Sequence, residues 1–247
     1  DGKWRKPEVA PFSGQYADGG FVFSKDGNRI YFESDRPLDN RGEPKDTDIW
    51  VVERNDNGWN EPRNLGMPVN GPNDEYLGCV SDDHTLYFTV RKREADGKFS
   101  FIHYASKMRE NEYSQPEKLP YPFNSDYFQT APVFSPDETY AIFASSGRND
   151  GCGQEDLYVT FKKKNGEWTE PINLGVQVNS KSTDWFPSFS PDGQYLFFVS
   201  WRYTGEAYSK TKRNFKEMMA FYTSPVYGHG ADVYWVNTKV IKNLRPT

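Results

Sequence analysis

Cysteine is almost missing: Cys79 and Cys152 are the only two in 247 residues, too few for the disulfide framework of a small secreted scaffold. No apolar run approaches the roughly 18 residues that a membrane span needs. Positive charge is not in excess either. The net charge of −5 argues against a nucleic-acid partner, which requires a basic face. Histidine is scarce, with His84, His103 and His229 the full set. No HExxH, no paired-cysteine zinc spacing and no GxSxG occurs, so no metal or other cofactor can be named from motifs. The stretch DNRGEPKDTD (39–48) is acidic but lacks the glycine and terminal glutamate of a calcium loop. No signal peptide is visible, and the abrupt start at Asp1-Gly2-Lys3-Trp4 reads as a processed or trimmed one.

What is abundant is punctuated aromatic sequence. Aromatics make up 17% of the chain, in short runs such as LFFVS, while seventeen prolines and twenty glycines are spread along the whole length. That combination reads as an all-β chain with many turns rather than as disorder. Four segments repeat one phrase: GGFVFSKDGNRIYFES, YLGCVSDDHTLYFTV, TAPVFSPDETYAIFAS and WFPSFSPDGQYLFFVS. Aligned on Ser24, Ser81, Ser135 and Ser190, they are spaced by 57, 54 and 55 residues. Eleven residues before each serine stand Ser13, Asn70, Asn124 and Asn179. Upstream lie WRKP, WNEP, YSQP and WTEP; downstream lie DIWVVER, FIHYASK, DLYVTFK and DVYWVNT.

Each repeat reads as four short strands: a (FVFS), b (IYFES), c (DIWVVE) and d (WNEPRNLG). Asp-Gly at 26–27 and 192–193 supplies the turn of a tight antiparallel a–b hairpin. Short strands repeated about every 55 residues predict a four-bladed β-propeller of four-stranded antiparallel blades, one domain over residues 1–247. A β-sandwich has no reason to repeat at that period. The chain opens on a d-type strand, Trp4 to Phe12, and closes on a c-type strand, DVYWVNT. Pairing of those two strands is expected to close the ring.

The phrases resemble the WD40-like PD40 repeat of TolB-like propellers. The residues that carry the resemblance are Ser190-Pro191-Asp192-Gly193, Ser135-Pro136-Asp137, Asp156-Leu157-Tyr158 and Trp168-x-x-Pro171-x-Asn173-Leu174-Gly175. It covers almost the whole chain and implies a protein of the bacterial envelope, periplasmic or secreted. Such propellers include scaffolds, binding modules and polysaccharide lyases, so the resemblance does not choose a function. Repeats two and three depart from it, with Asp83-His84 and Asp137-Glu138 in place of Asp-Gly, and repeat two lacks the aspartate before strand c.

A propeller's site is expected on the face made by the d-to-a and b-to-c loops, above the central channel. After strand b of successive repeats come Arg36, Arg91, Arg148 and Arg202. Six residues before the anchor serines stand Asp18, Glu75, Gln129 and Asp184. Radial repetition places guanidinium groups near acids. They are either ion pairs that the repeat itself needs or, for some, the grip on a carboxylate or sugar. Departures from the repeat are the better pointers to a site: Gln129 breaks the acid series, and Tyr127 and Trp185 put aromatics in the same loops. Those rings suit carbohydrate stacking and core packing equally.

The largest departure is the last b-to-c loop, in the insertion 203–231. Its centre, SKTKRNFKEMMAFY, predicts a short helix with Phe215, Met218, Met219 and Tyr222 on one face, a lid or a cap over the channel. His229, between two glycines at the end of this loop, is the histidine best placed for chemistry. His84 is expected in a solvated turn and His103 as a structural residue of a c strand. Cys79 is expected to be buried and inert, and a bridge to Cys152 is disfavoured. Three functions stay open. One is a binding propeller for a small-molecule or saccharide ligand. The second is a lyase or hydrolase acting on an acidic saccharide with His229, Tyr227 and Asp184 as catalytic groups. The third is a scaffold that docks a protein partner through an exposed patch of Phe215, Met218 and Met219.

Overall fold

The anchor serine of each repeat closes an a–b turn. Ser24 Oγ donates to Asp26 Oδ1 at 2.6 Å and accepts the backbone N–H of Arg29 at 2.9 Å. Ser81, Ser135 and Ser190 make the same pair of bonds, to Asp83, Asp137 and Asp192 and from Thr85, Tyr140 and Tyr195. The Ser24 hydroxyl and the Asn28 backbone N–H hold the Asp26 carboxyl down at about 2. The residue after each aspartate is left-handed: Gly27 at φ 68°, His84 at 62°, Glu138 at 50° and Gly193 at 65°. Repeat three therefore keeps the turn and repeat two a form of it one residue shorter, each bearing a side chain where glycine is unstrained.

The computed structural model describes residues 6, 8–39, 41–202, 212, 214–223 and 231–246. The chain is all-β, with four antiparallel sheets in a ring, the arrangement of a four-bladed β-propeller. It divides into two compact units, Asp1–Leu119 and Pro120–Thr247, each holding two of the sheets.

In the first unit, sheet one contains β1 (Asp18–Phe23), β2 (Arg29–Ser34), β3 (Asp48–Asn55), β4 (Gly58–Trp59) and β5 (Arg63–Asn64). β4 folds back on the end of β3, and β5 pairs with the middle of β3, so the order is a–b–c–d as expected. Sheet two contains β6 (Asp74–Val80), β7 (Leu86–Arg93) and β8 (Phe99–Ser106). A separate ribbon of β9 (Met108–Arg109) and β10 (Glu112–Tyr113) follows, and then β11 (Glu117–Lys118), which pairs with β8. The apolar residues of the two sheets meet: Tyr31, Ile49 and Val51 pack with Leu77, Leu86 and Phe88 in one cluster. Full burial of each such side chain is worth about 1.5–3 kcal/mol, so the central strands carry the stability.

In the second unit, sheet three has its first strand broken into β12 (Phe128–Gln129) and β13 (Val133–Phe134). Pro132 stands in the gap and has no N–H to give. Both pieces pair with β14 (Tyr140–Ser146), followed by β15 (Asp156–Phe161) and β16 (Ile172–Asn173). β15 is buried along its whole length. Sheet four is β17 (Asp184–Phe189), β18 (Tyr195–Ser200) and β19 (Asp232–Asn237). Of the closing strand expected over Trp4–Phe12 to pair with 232–238, residues 4, 5 and 7 lie outside the described residues, while 8–12 run as coil and a turn with no strand. After β19 the chain forms the short helix α2 (Lys239–Lys242), which the sequence reading missed; its Ile241 is fully buried. In the last loop, α1 (Phe215–Thr223) is the expected helix. Asn214 and Glu217 exchange side-chain to backbone hydrogen bonds at its start, a reciprocal cap.

The repeated asparagines also have a physical reason. Asn70 spans strand c of sheet one, accepting the N–H of Ile49 at 3.0 Å and donating to its carbonyl at 2.9 Å. Asn179 treats Leu157 in β15 in the same way. Each side chain acts as one more rung of the ladder and leads the chain from one sheet to the next.

Candidate functional site

The repeat-wide arginines divide into two kinds. Arg36 is buried and fully engaged: Nε donates to Ser34 Oγ at 2.9 Å, and Nη2 to the Phe12 carbonyl at 3.0 Å and Asp18 Oδ1 at 2.6 Å. Asp18 also accepts from the hydroxyls of Ser13 and Ser34. Arg202 repeats every contact, with Ser200, the Val178 carbonyl and Asp184. Even the stacking matches. Arg36 lies over Phe32 and Trp50, and Arg202 over Phe198 and Tyr234, at 4.4–5.4 Å. In sheets one and four the pair is closed architecture, tying the start of strand a to the end of strand b.

Sheet three keeps the arginine and loses the acid. Arg148 Nε donates to Ser145 Oγ at 2.9 Å, and its guanidinium stacks on Phe143 and Tyr158 as its counterparts do. Gln129 stands at the aspartate position. It is turned away, donating to the Pro122 carbonyl at 2.9 Å and accepting from Ser125 Oγ at 2.8 Å. Arg148 Nη2 is thus buried with no hydrogen-bond partner among the described residues. The Tyr127 ring covers the guanidinium at 4.5 Å and is itself 41% exposed. Tyr121 is exposed too, with its hydroxyl bonded to Glu170. The result is an arginine between tyrosines with one donor edge unspent.

Sheet two keeps the acid and loses the arginine. Its a–b turn is one residue shorter, so Arg91 falls in the place of Asp35, and Val90 replaces the serine of the other repeats. Arg91 therefore pairs with Asp74, at 2.7 Å near the surface, not with Glu75 as the alignment implied. Glu75 is buried with Oε2 unpartnered among the described residues, and burial pushes its pKa to about 8. A second carboxyl of the same unit is also displaced: burial raises Glu33 to about 7, against the opposing bond that the Leu77 N–H donates to it at 2.7 Å.

Trp185 belongs to an aromatic group of its own. It meets Phe186 edge-on at 5.4 Å and Trp201 at 5.8 Å. Phe186 has φ 48° at the bulge where sheet one has Gly20 at φ 58°, and its ring is exposed. An exposed phenylalanine in a glycine conformation is strained, and this group borders the Arg202–Asp184 pair.

Other expectations divide. His103 is buried, its Nδ1 2.7 Å from Thr89 Oγ1, and burial lowers its pKa to about 4, as fits a neutral structural residue. Cys79 and Cys152 are free, and Cys79 is half-buried where full burial was expected, because it sits at the bulge of β6. Burial raises the Cys152 thiol further from reactivity. Phe215, Met218 and Met219 are exposed on α1. His229 and Tyr227 lie outside the described residues. Among the described residues no cluster of three metal-ligating side chains occurs, and no helix is long and apolar enough to cross a membrane.

No protein-family model and no curated protein matches the chain. Solved structures do. A TolB-like chain from Agrobacterium tumefaciens is 16% identical over 75% of this chain and 70% of its own, with a TM-score of 0.42. A chain described as a glycoside hydrolase is 12% identical over 77% of this chain and 67% of its own, at 0.45. A post-proline cleaving enzyme from Rickettsia typhi is 11% identical over 74% of this chain, at 0.41, and this chain spans only a quarter of it. At such values the likenesses carry no argument about chemistry, which rests on the residues above.

Proposed function

We propose that this propeller binds an acidic saccharide, and that Arg148 takes its carboxylate. The observation that carries the reading is the unspent Nη2 of Arg148, in a position where the same repeat elsewhere supplies an aspartate. A buried donor without an acceptor costs about 1–3 kcal/mol, and a ligand carboxylate removes that cost with a charge-assisted bond. Tyr127 and Tyr121 beside it are exposed rings suited to the apolar face of a sugar. Because Tyr127 lies over the guanidinium, its ring must swing aside for the anion to enter. PD40-type repeats and a periplasmic or secreted location belong to the same proposal, supported by the motif resemblance alone. The enzyme alternative drew on Asp184, which is already closed on Arg202.

Gln129→Glu tests this directly, since it installs the missing carboxylate in place. Calorimetric titration of the wild type with galacturonate is expected to show binding that galactose does not. Gln129→Glu is expected to abolish it. Undiminished binding in Gln129→Glu, or equal binding of the neutral sugar, contradicts the reading.

A further inference from the structure

The first unit contains a cavity of about 570 Å³ that none of these groups lines. It lies where the ends of β2 and β3 and strand β5 face the β9–β10 ribbon, near the a–b and c–d turns and away from the Glu75 end of sheet two. Its size falls in the ordinary range of small-molecule sites, about 300–1,000 Å³. Val51, Leu65, Met67, Pro68 and Met108 give it an apolar lining. At its buried end the Tyr113 hydroxyl donates to that of Tyr31 at 3.1 Å, and burial holds Tyr113 protonated.

Two arginines reach this space. Arg29 pairs with Glu53 at 3.0 Å, but directs Nη1 at the thioether of Met108, 3.4 Å away. Sulfur is a weak acceptor for a guanidinium. Arg63, exposed on β5 at the rim, makes no ion pair or side-chain hydrogen bond among the described residues. Glu53 is neutralised by Arg29, and Glu112 stands exposed on the ribbon. The lining thus combines apolar side chains, a hydroxyl pair and two guanidinium groups, of which only Arg29 has a carboxylate partner among the described residues, a combination that suits an organic carboxylate.

We infer that this cavity is a second binding site, for a small organic carboxylate with an apolar body. The carboxylate lies between Arg63 and the Nη1 edge of Arg29, displacing the thioether contact, and the body rests on Leu65, Pro68 and Met108. The site is independent of Arg148 and stands or falls separately from it.

The probe is 4-phenylbutyrate, titrated calorimetrically with its neutral amide as control. The carboxylate is expected to bind the wild type at least about tenfold more tightly than the amide, the worth of a charge-assisted bond. Arg63→Ala, an exposed and unpaired position, is expected to weaken it about tenfold without changing the fold. Arg63→Lys recovers part of that loss, and Arg148→Ala changes nothing. No binding by the wild type, equal binding of acid and amide, or binding that Arg63→Ala spares and Arg148→Ala removes would each overturn the inference.

Discussion

Sheets one and four close the same arrangement of serine, arginine, aspartate and backbone carbonyl, whereas sheets two and three each keep one half of it. Arg36 and Arg202 are spent on their own blades. Arg148 has lost its acid to Gln129, and Glu75 has lost its arginine to a one-residue shortening of the turn. The lesson is about where a repeat protein can acquire function. A charged pair that the fold consumes is unavailable to a ligand, and half a pair is a charge whose partner must be found elsewhere or suppressed. Sheet two suppresses its charge by holding a proton on Glu75; sheet three stacks its charge between tyrosines and leaves a donor edge free.

The comparison can be broken most forcefully at the closed pairs. Removing one member of a buried ion pair strands the other, so Asp184→Ala and Arg36→Ala are expected to lose about 3–5 kcal/mol in denaturant unfolding. Either variant losing less than about 1 kcal/mol would deny the architectural role.

Next in size is the response of sheet two to pH. The folded protein keeps protons on Glu75 and Glu33 at pH values where the unfolded chain, with carboxyls near 4.5, releases them. Folded-state binding of extra protons means that stability falls as pH rises from about 4.5 through the folded values of about 7 and 8, and levels off above. Each group contributes a slope of at most about 1.4 kcal/mol per pH unit inside its window. Glu75→Gln is expected to flatten the fall between pH 5 and 8 as followed by thermal melts (a range chosen inside that window). An unchanged slope would show that Glu75 ionises normally in the fold.

The smallest effects belong to the a–b turns. A Cβ at Gly193 meets Pro136 at 3.1 Å, while one at Gly27 meets nothing within 4 Å, and both positions are left-handed. Gly193→Ala should therefore cost more than Gly27→Ala, itself about 1 kcal/mol. Glu138→Gly, the reverse change, is expected to stabilise by about 0.5–1 kcal/mol. Equal melting temperatures for the two alanine variants would remove the contact with Pro136 from the account.

Much of this was visible beforehand, and the reasons are local. The Ser-x-Asp turn, the bridging asparagines and the Asp18–Arg36 type of pair depend on fixed sequence offsets, so repetition exposes them. Gln129 stood out for the same reason. Arg91 misled because a single missing residue in the turn moves it off register while leaving an arginine nearby. The burial of Glu33 was not legible, since its partner is the Leu77 N–H of the next sheet, at a bulge that no pattern announces. The helix Lys239–Lys242 is too short to carry a period, and the cavity is made by side chains from separate strands.

We propose that the repeat's charged pair is scaffold where complete, and that the arginine left alone in sheet three is a binding group. Unfolding free energy and galacturonate affinity, measured side by side for Arg36→Ala and Arg148→Ala, address it most directly. Arg36→Ala is expected to lose several kcal/mol of stability, while Arg148→Ala stays within about 1 kcal/mol of wild type and no longer binds. An Arg148→Ala variant that unfolds as readily as Arg36→Ala, or that binds galacturonate as the wild type does, would contradict it.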